Sequence, residues 1–391
     1  MAANGTSSNG DPRDLTKRNR VEILRHLVDG QTLSRVELAR RTGLSPATVS
    51  RLTATMTDSG LLTEHGSDLT TGGRPSLLLR FDPTARRLLA ADITPRGVSL
   101  AETDLLGRIV RRHKVTASEY DSTQSAHALV DAVADYLASR NADEPTVVAV
   151  GISVPGPVTE ERVVTVAPAL DWYDLDLGAL IRGRLPEPLV VENDVNLIAF
   201  GEYFLGVDYR PQSLLAIATF EGVGAGIVED GRLWRGTGGG AGQFGRMLVN
   251  QSGLRHGRHG FGQVESQLGA TALHARAVRA GVFSPGQGSA DELLALASSG
   301  HPEARVLFEQ MMDEYAFALV NFCAAVAPQV VVFDGLLGRW SNLVLPALDA
   351  RLRGNVLHEP ELLPAALHGD GKLVGAALYA LERRGGVLDL A

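Results

Sequence analysis

The amino-acid sequence changes its pattern about one fifth of the way along the chain, and this change constrains the fold most. Before residue 83 the apolar residues mark short helices and two strand-like runs, whereas from Leu88 onward strands alternate with helices. Such alternation is typical of an α/β fold. The sequence therefore predicts a disordered polar tail over residues 1–14, a small domain over residues 15–82 and a larger region over residues 83–391.

The charged residues follow the same division. The chain of 391 residues carries a net charge of −8, but residues 1–80 hold 11 basic and 8 acidic side chains, a net charge of +3. The remaining residues carry a net charge of −11. A basic end on an acidic protein is typical of a nucleic-acid-binding segment. The overall negative charge therefore does not exclude DNA binding.

The first half of the small domain carries helix start and stop signals. Apolar residues fall near helical spacing up to Gly30, which ends the first helical segment. Ser34 followed by Glu37 forms a capping-box pattern, and this pattern predicts a helix that runs to Thr42. Gly43 then supplies a tight turn.

A second helix follows this turn directly. Ser45 is a predicted N-cap with Pro46 at the first helical position, and the helix runs to Asp58 before Gly60. Two short helices around a glycine turn indicate a helix-turn-helix, whose second helix enters the major groove of DNA. Val49 and Leu52 are expected to face inward. The predicted DNA contacts on this helix are Ser45, Thr48, Ser50 and Arg51.

Two strand-like runs complete the small domain. Residues 61–64 and 76–81 read as strands joined by a polar loop, which is the pattern of a winged helix. Arg74, in a Gly/Pro context within this loop, is predicted to contact the minor groove. The alternative is a small helical interaction domain that does not touch DNA.

The larger region alternates strands with helices. Its last predicted elements are a strand over residues 329–333 and a helix near residues 375–384. The earlier predicted strands are 88–94, 97–104, 107–115, 146–154, 189–192, 213–220 and 223–229, and the earlier predicted helices are 122–140, 195–204 and most of 263–325.

Four motifs then occur in order along this region. They are GISVPGPV (151–158), ENDVNLIAFGE (192–202), GVGAGIVEDGRLWRG (222–236) and GGAGQFGRM (239–247). Together with the winged helix, they make the chain resemble the ROK family of repressors, open reading frames and kinases. The resemblance is greatest to its transcriptional regulators, of the xylose and N-acetylglucosamine repressor type. It implies an actin-like ATPase (sugar kinase/hexokinase) fold of two α/β lobes with a sugar cleft between them.

The resemblance also shows where a kinase would need residues that this chain lacks. ROK kinases are similar in a glycine-containing loop after the first strand, where this chain has Thr94 and Pro95, and proline removes an amide donor. The nucleotide-side loop, usually glycine-rich, begins here with Asp334. Asp194 matches the catalytic-base position, but a base without a phosphoryl donor cannot transfer phosphate. We therefore expect a vestigial base and no enzyme; the alternative is a ROK sugar kinase fused to a DNA-binding domain.

The sugar-binding positions are altered more selectively. The resemblance implies effector contacts from Asn193, Asp194 and Glu265, whereas the family motif's Glu and His are replaced by Gln243 and Arg246. The guanidinium of Arg246 suits an effector with an anionic or acceptor-rich group. The alternative is a structural salt bridge from Arg246 to Asp194 or Glu265.

Many ROK proteins resemble one another in a zinc loop with three cysteines and one histidine. In this chain those cysteines are replaced by His256, Arg258 and Gln263, so the sequence predicts no metal. A rebuilt site that uses His256 and His259 is the alternative. The zinc-dependent rigidity of this loop must then come from packing or from the effector.

The single cysteine, Cys323, excludes a disulfide framework and favours a reducing cytoplasm. No apolar segment predicts a signal peptide or a membrane span. These features predict a cytoplasmic protein, and the interpretation as a ROK-type regulator implies a homodimer or homotetramer with no cofactor. Its expected partners are a double-stranded DNA operator and a sugar or sugar-derivative effector. A constitutive DNA-binding protein with a vestigial cleft is the remaining alternative.

Overall fold

The N-terminal domain is a winged helix. The computed structural model describes residues 12–68, 76–116, 124–251, 254 and 260–390. The strands form one antiparallel sheet in the order β1-β3-β2. Its elements are α1 (Pro12–Arg25), β1 (Leu33–Ser34), α2 (Arg35–Thr42), α3 (Pro46–Asp58), β2 (Leu62–Asp68) and β3 (Ser76–Phe81).

Both predicted helix caps are present. The Ser34 hydroxyl accepts a hydrogen bond from the Glu37 amide (3.2 Å), and the Ser45 hydroxyl accepts one from the Thr48 amide (3.1 Å). The second half of the predicted capping box is wrong, because the Glu37 carboxylate binds Arg40 and Arg41 instead. These guanidinium groups lower the pKa of Glu37 to about 2. The first helix begins at Pro12, three residues earlier than predicted.

A first mixed sheet follows, in the order β10-β7-β4-β5-β6, with β4, β7 and β10 parallel to one another. A two-stranded sheet of β8 and β9 lies beside it. The elements of this part are β4 (Arg87–Thr94), β5 (Gly97–Thr103), β6 (Ile109–Thr116), α4 (Ser125–Ala138), β7 (Val147–Val154), β8 (Val163–Ala167), β9 (Trp172–Asp176), α5 (Leu177–Ile181), β10 (Leu189–Asn193) and α6 (Asp194–Gly201).

A second sheet has the order β13-β12-β11-β14-β15. Its elements are β11 (Ser213–Thr219), β12 (Val223–Glu229), β13 (Arg232–Leu233), α7 (Gln263–Leu268), α8 (Ala270–Arg279), α9 (Ala290–Ser298), α10 (Pro302–Val326), β14 (Val330–Asp334), α11 (Gly335–Arg339), α12 (Ser341–Leu352), β15 (Glu361–Pro364) and α13 (Gly371–Arg384). The last helix begins four residues before the predicted start at 375.

Helices cover both faces of the central strands of the two five-stranded sheets, because these strands are apolar on both sides. Along β11, Leu215 and Ile217 pack into the core around α10, whereas Leu214 and Ala216 pack against α6. Helix α13 packs on β4 and β7 of the first sheet and against α6. The helices α6 and α13 therefore connect the two sheets.

The winged helix shares a core with the first sheet. Leu52 and Met56 of α3 belong to the same buried cluster as Ala376 and Ala380 of α13. Beyond α13, the 3-10 turn Val387–Leu390 contacts α1. The N-terminal domain therefore contacts the turn that follows α13, the helix whose first turn reaches the space between the sheets. Among the described residues, no helix is long and apolar enough to span a membrane.

Candidate functional sites

A cleft lies between the carboxyl ends of the strands of the two sheets. It contains about 890 Å³ of space, part of it open to solvent. All five predicted effector residues line it, namely Asn193, Asp194, Gln243, Arg246 and Glu265. Thr94 and Pro95 line it as well, together with Lys372, which the sequence analysis did not consider.

Asn193 positions other groups within the cleft. It ends β10 and caps α6, since its side-chain oxygen accepts from the amides of Val195 (3.0 Å) and Asn196 (3.1 Å). Its side-chain nitrogen donates to the Gly156 carbonyl and to the Asp194 carboxylate, both at 3.1 Å. These bonds use the amide's two donors and both acceptor lone pairs.

Asp194 follows as the first residue of α6. Its Oδ1 accepts from the Val195 amide (3.0 Å) and from Asn193, and its Oδ2 lies 3.0 Å from the Lys372 ammonium. Lys372 lies in the first turn of α13, 4.0 Å from Asp92 and 4.2 Å from the ring centre of Phe220. The ammonium thus touches residues that end strands of both sheets.

The groups around this lysine shift one another's pKa. Burial by itself lowers the pKa of Lys372, but Asp92, Asp194 and Asp334 outweigh it and raise this pKa. Burial raises the pKa of Asp92, although Lys372 and a 2.6 Å hydrogen bond from Ser153 oppose this shift. Asp334 is buried and accepts from the Gly335 amide at the start of α11.

Glu265 lies on α7 at the other end of the cleft. Its carboxylate accepts from the amides of Val223 (3.3 Å) and Gly262 (3.2 Å). Gly222 makes this approach possible, because a Cβ there would lie 1.9 Å from the Glu265 carboxylate oxygen. Burial raises the pKa of Glu265 to about 7, and Asp194 contributes to this shift. The group therefore titrates near neutral pH.

Arg246 ends a 3-10 turn beside Glu265. Its guanidinium donates to the Gly260 carbonyl at 3.2 Å. Within the described ranges, it makes no ion pair with Asp194 or Glu265 at 4.0 Å or less, so the alternative of a structural salt bridge to either carboxylate is not formed. Gln243 is half-buried and lines the same wall. Both side chains therefore retain hydrogen-bonding capacity that faces a ligand space.

Gln263, which the resemblance places at a zinc-ligand position, is held by hydrogen bonds. The Gln263 side chain is buried, donates to Asn250 (2.8 Å) and accepts from the Val249 amide (2.9 Å). His256, Arg258 and His259 lie outside the described residues. In the part of the chain that the structure describes, no three His, Cys, Asp or Glu residues form a group able to hold a metal ion.

An ion pair between Glu192 and Arg235 lies next to the cleft residue Asn193. Glu192 is fully buried on β10, and it accepts from Arg235 (2.5 Å), from the Asn193 amide (2.7 Å) and from the Asn196 side chain (3.0 Å). Arg235 follows β13 of the second sheet and also binds Glu160. This pair joins the two sheets next to Asn193. Sequence reasoning missed it because its partners lie far apart along the chain.

The predicted DNA-contacting surface lies on α3. Val49 and Leu52 are fully buried, as predicted, whereas Ser45, Ser50 and Arg51 are exposed and Thr48 is half-buried. The Ser45 and Thr48 hydroxyls lie 2.8 Å apart and form a hydrogen bond with each other. Arg51 has no recorded side-chain partner among the described residues. Arg74 lies outside them.

Comparison with known proteins assigns both parts of the chain. The profile of the ROK family matches residues 90–383, about three quarters of the sequence. The chain belongs to the ROK family. A profile of the IclR helix-turn-helix domain matches residues 20–66, within the winged helix. The fold is therefore an N-terminal helix-turn-helix domain followed by the ROK two-lobe fold.

Similar proteins include both regulators and kinases of this family. The chain is 22% identical to the xylose repressor of Bacillus spizizenii over 378 residues, which cover 95% of this chain and 97% of that repressor. A solved ROK family transcriptional regulator, described as a homologue of the Escherichia coli MLC protein, is 21% identical with a TM-score of 0.78 and covers 96% of this chain and 98% of its own. A ROK glucokinase from Streptomyces griseus, solved with glucose and AMPPNP, is 28% identical with a TM-score of 0.64, and covers 76% of this chain and 99% of its own.

Proposed function

We propose that this protein is a DNA-binding repressor of carbohydrate-metabolism genes whose operator affinity depends on a sugar or sugar derivative in the cleft. The observation that carries the proposal is α13, which bears Lys372 in the cleft and contributes residues to the buried cluster that also contains residues of α3. Such an element can connect ligand occupancy to the DNA-binding domain. The full-length similarity to a xylose repressor supports the same function.

The exposed start of α3 is the proposed DNA-reading surface. Arg51 can bind a guanine edge or a phosphate, and Ser45, Thr48 and Ser50 supply short hydroxyls beside it. Arg74 is proposed to reach the minor groove. A homodimer or homotetramer would place two such helices on the half-sites of a palindromic operator.

The effector is proposed to lie between the two ends of the cleft. Asp194 and Glu265 accept hydrogen bonds from its hydroxyls, with Gln243 on the same wall and Asn193 holding Asp194 in place. Arg246 faces an anionic or acceptor-rich group. Calorimetry with neutral sugars and with their phosphates or acids tests this part. Binding of neutral hexoses alone, with no loss in Arg246→Ala, would contradict it.

We infer that the protein does not transfer phosphate. Asp194 is kept, but it is paired with Lys372, and Pro95 and Asp334 stand at positions where the resemblance places phosphate-binding backbone. The alternative is a sugar kinase with a fused winged helix, which the similarity to a glucokinase favours. ATP turnover in the presence of a bound sugar would establish that alternative.

A thermal-shift screen of sugars, amino sugars, sugar phosphates and uronates is the direct experiment. A ligand near 100 times its Kd is expected to stabilise the protein by about 2.7 kcal/mol. The same compound should then change the affinity for a DNA site selected from a random pool. A complete absence of shifts would favour the vestigial cleft.

A further inference from the structure

Lys372 is one of few lysines in this chain, and its side chain is buried. The sequence contains three lysines and 34 arginines, and Lys372 is buried to 13% exposure among acidic groups. Its ammonium is a compact charge, whereas a guanidinium is a planar fork that needs more room. A compact cation suits the narrow space between Asp194, Asp92 and the Phe220 ring.

The charges at this end of the cleft need a cation. Buried carboxylates are costly unless they are paired. Three acidic groups act electrostatically on this position, namely Asp92 near the end of β4, Asp194 at the start of α6 and Asp334 at the end of β14. They belong to both sheets, and Lys372 supplies the cation from a third element, α13.

The hydrogen bonds of Asp194 leave room for one more donor. An ionised carboxylate has about four acceptor positions. Oδ1 uses two of them for Val195 and Asn193, and Oδ2 uses one for Lys372. The remaining position, on Oδ2, can accept from a hydroxyl of a ligand in the cleft that Asp194 lines.

We propose that Lys372 is a positioning residue for ligand binding. Its ammonium is the counter-ion of Asp194 and holds this carboxylate in place. Oδ2 can then accept a hydrogen bond from an uncharged hydroxyl of the ligand, and the ligand does not have to bring a cation to this end of the cleft. The inference rests on the proposed function only in treating the cleft as a ligand site. Acidic groups of the effector are directed to the Arg246 end.

The first test needs no ligand and uses the full chain. We compare the Tm of wild type, Lys372→Met and Lys372→Arg between pH 5 and 8, with Lys114→Met as the control for an exposed lysine. Lys372→Met leaves its acidic neighbours without a cation, so its Tm should fall by about 5 °C or more at pH 8 and by much less at pH 5. Because Asp194 contributes to the pKa of Glu265, the comparison is also made in a Glu265→Gln background, where this titration is absent. Lys372→Arg keeps the charge, so its Tm should differ from the wild-type Tm by the same amount at pH 5 and pH 8, although the larger guanidinium lowers the Tm at both pH values.

If Lys372→Met has the same Tm as wild type, or if its Tm is lower by the same amount at pH 5 and pH 8, Lys372 is not the counter-ion of these carboxylates. Combining Lys372→Met with Asp194→Asn gives a second check, because the double variant should lose less than the two single losses added together. Additive losses would also overturn the proposal.

The second test uses D-xylose, D-glucose and N-acetyl-D-glucosamine as probes in calorimetry. For any probe that wild type binds, Lys372→Met should weaken binding at least about tenfold, because Asp194 loses its position. Unchanged affinity in a folded Lys372→Met variant contradicts the proposal. If wild type binds none of the probes, the proposed function fails for these sugars. The role of Lys372 as a counter-ion is then decided by the Tm values between pH 5 and pH 8.

Discussion

The winged helix and the cleft are built from the sequence in opposite ways. The DNA-reading surface takes its residues from one short stretch, Ser45 to Arg51, on a helix whose cap is also local. The cleft collects residues from Ile93 to Lys372, which reach it from both sheets and from α13. A local surface can be derived from consecutive residues, whereas a cleft depends on the topology that brings distant residues together.

The largest expected effect concerns the core that the two regions share. Leu52 of α3 is fully buried in the cluster that also includes residues of α13. Leu52→Ala should lower the free energy of unfolding by about 2–5 kcal/mol, because it leaves a cavity. Chemical denaturation measures this change, and Thr55→Ala, at an exposed site on the same helix, is the control. A loss in Leu52→Ala no larger than in the control would show that Leu52 does not belong to a packed core.

The next effect separates the two regions. Arg51→Ala should weaken binding to the selected DNA site by about 1–3 kcal/mol, with no change in the thermal shift from a cleft ligand. Fluorescence anisotropy measures the DNA affinity. Arg279→Ala, at an exposed site on α8, is the matched control. If Arg51→Ala and Arg279→Ala bind the DNA site with equal affinity, Arg51 of α3 does not contact the DNA.

The pH dependence of stability identifies the Glu265 end of the cleft. Its folded pKa of about 7 lies above the usual 4.5, so the folded state binds more protons than the unfolded state between these values. The contribution of Glu265 to stability is therefore present below pH 4.5 and is lost as pH rises to 7.

Glu265→Gln removes this titration. The free energy of unfolding of wild type relative to this variant should fall between pH 5 and pH 8, by an amount on the order of 2 kcal/mol. Denaturation at several pH values measures the difference. A constant difference across this range would mean that burial does not shift this carboxyl.

The smallest effect is expected at the mouth of the cleft. Arg96 pairs with Glu221 across the two sheets at 3.0 Å, but Arg96 is 86% exposed. Exposed pairs contribute about 0–1 kcal/mol. Arg96→Ala should therefore change stability far less than Lys372→Met, although both side chains form contacts between the two sheets. If Arg96→Ala loses as much stability as Lys372→Met, the main connection between the two sheets is the Arg96–Glu221 pair and not Lys372.

The sequence predicted the winged helix because caps, turns and apolar periodicity are local signals, whereas the two-lobe fold followed from the resemblance of the motifs to the ROK family. The Ser34 and Ser45 caps are present as predicted. Glu37 departs from its predicted role because two arginines one helical turn away compete for its carboxylate. That competition depends on side-chain geometry that the capping pattern does not encode.

The cleft was predicted only in part. The family motifs located Asp194, Arg246 and Glu265, but Lys372 lies beyond them and before the predicted start of the last helix. Its role follows from the packing of α13 against α6, which the local pattern does not encode. The low number of lysines in the chain was the one available sequence signal.

The central claim is that a ligand in the cleft changes the DNA affinity of the winged helix. It is tested most directly by fluorescence anisotropy on the selected DNA site, with and without a ligand from the thermal-shift screen, in wild type and in Asp194→Asn. We expect the ligand to change the wild-type affinity by about 5–150-fold, and to have little effect on Asp194→Asn. A ligand that stabilises the wild-type protein but leaves its DNA affinity unchanged would contradict the account.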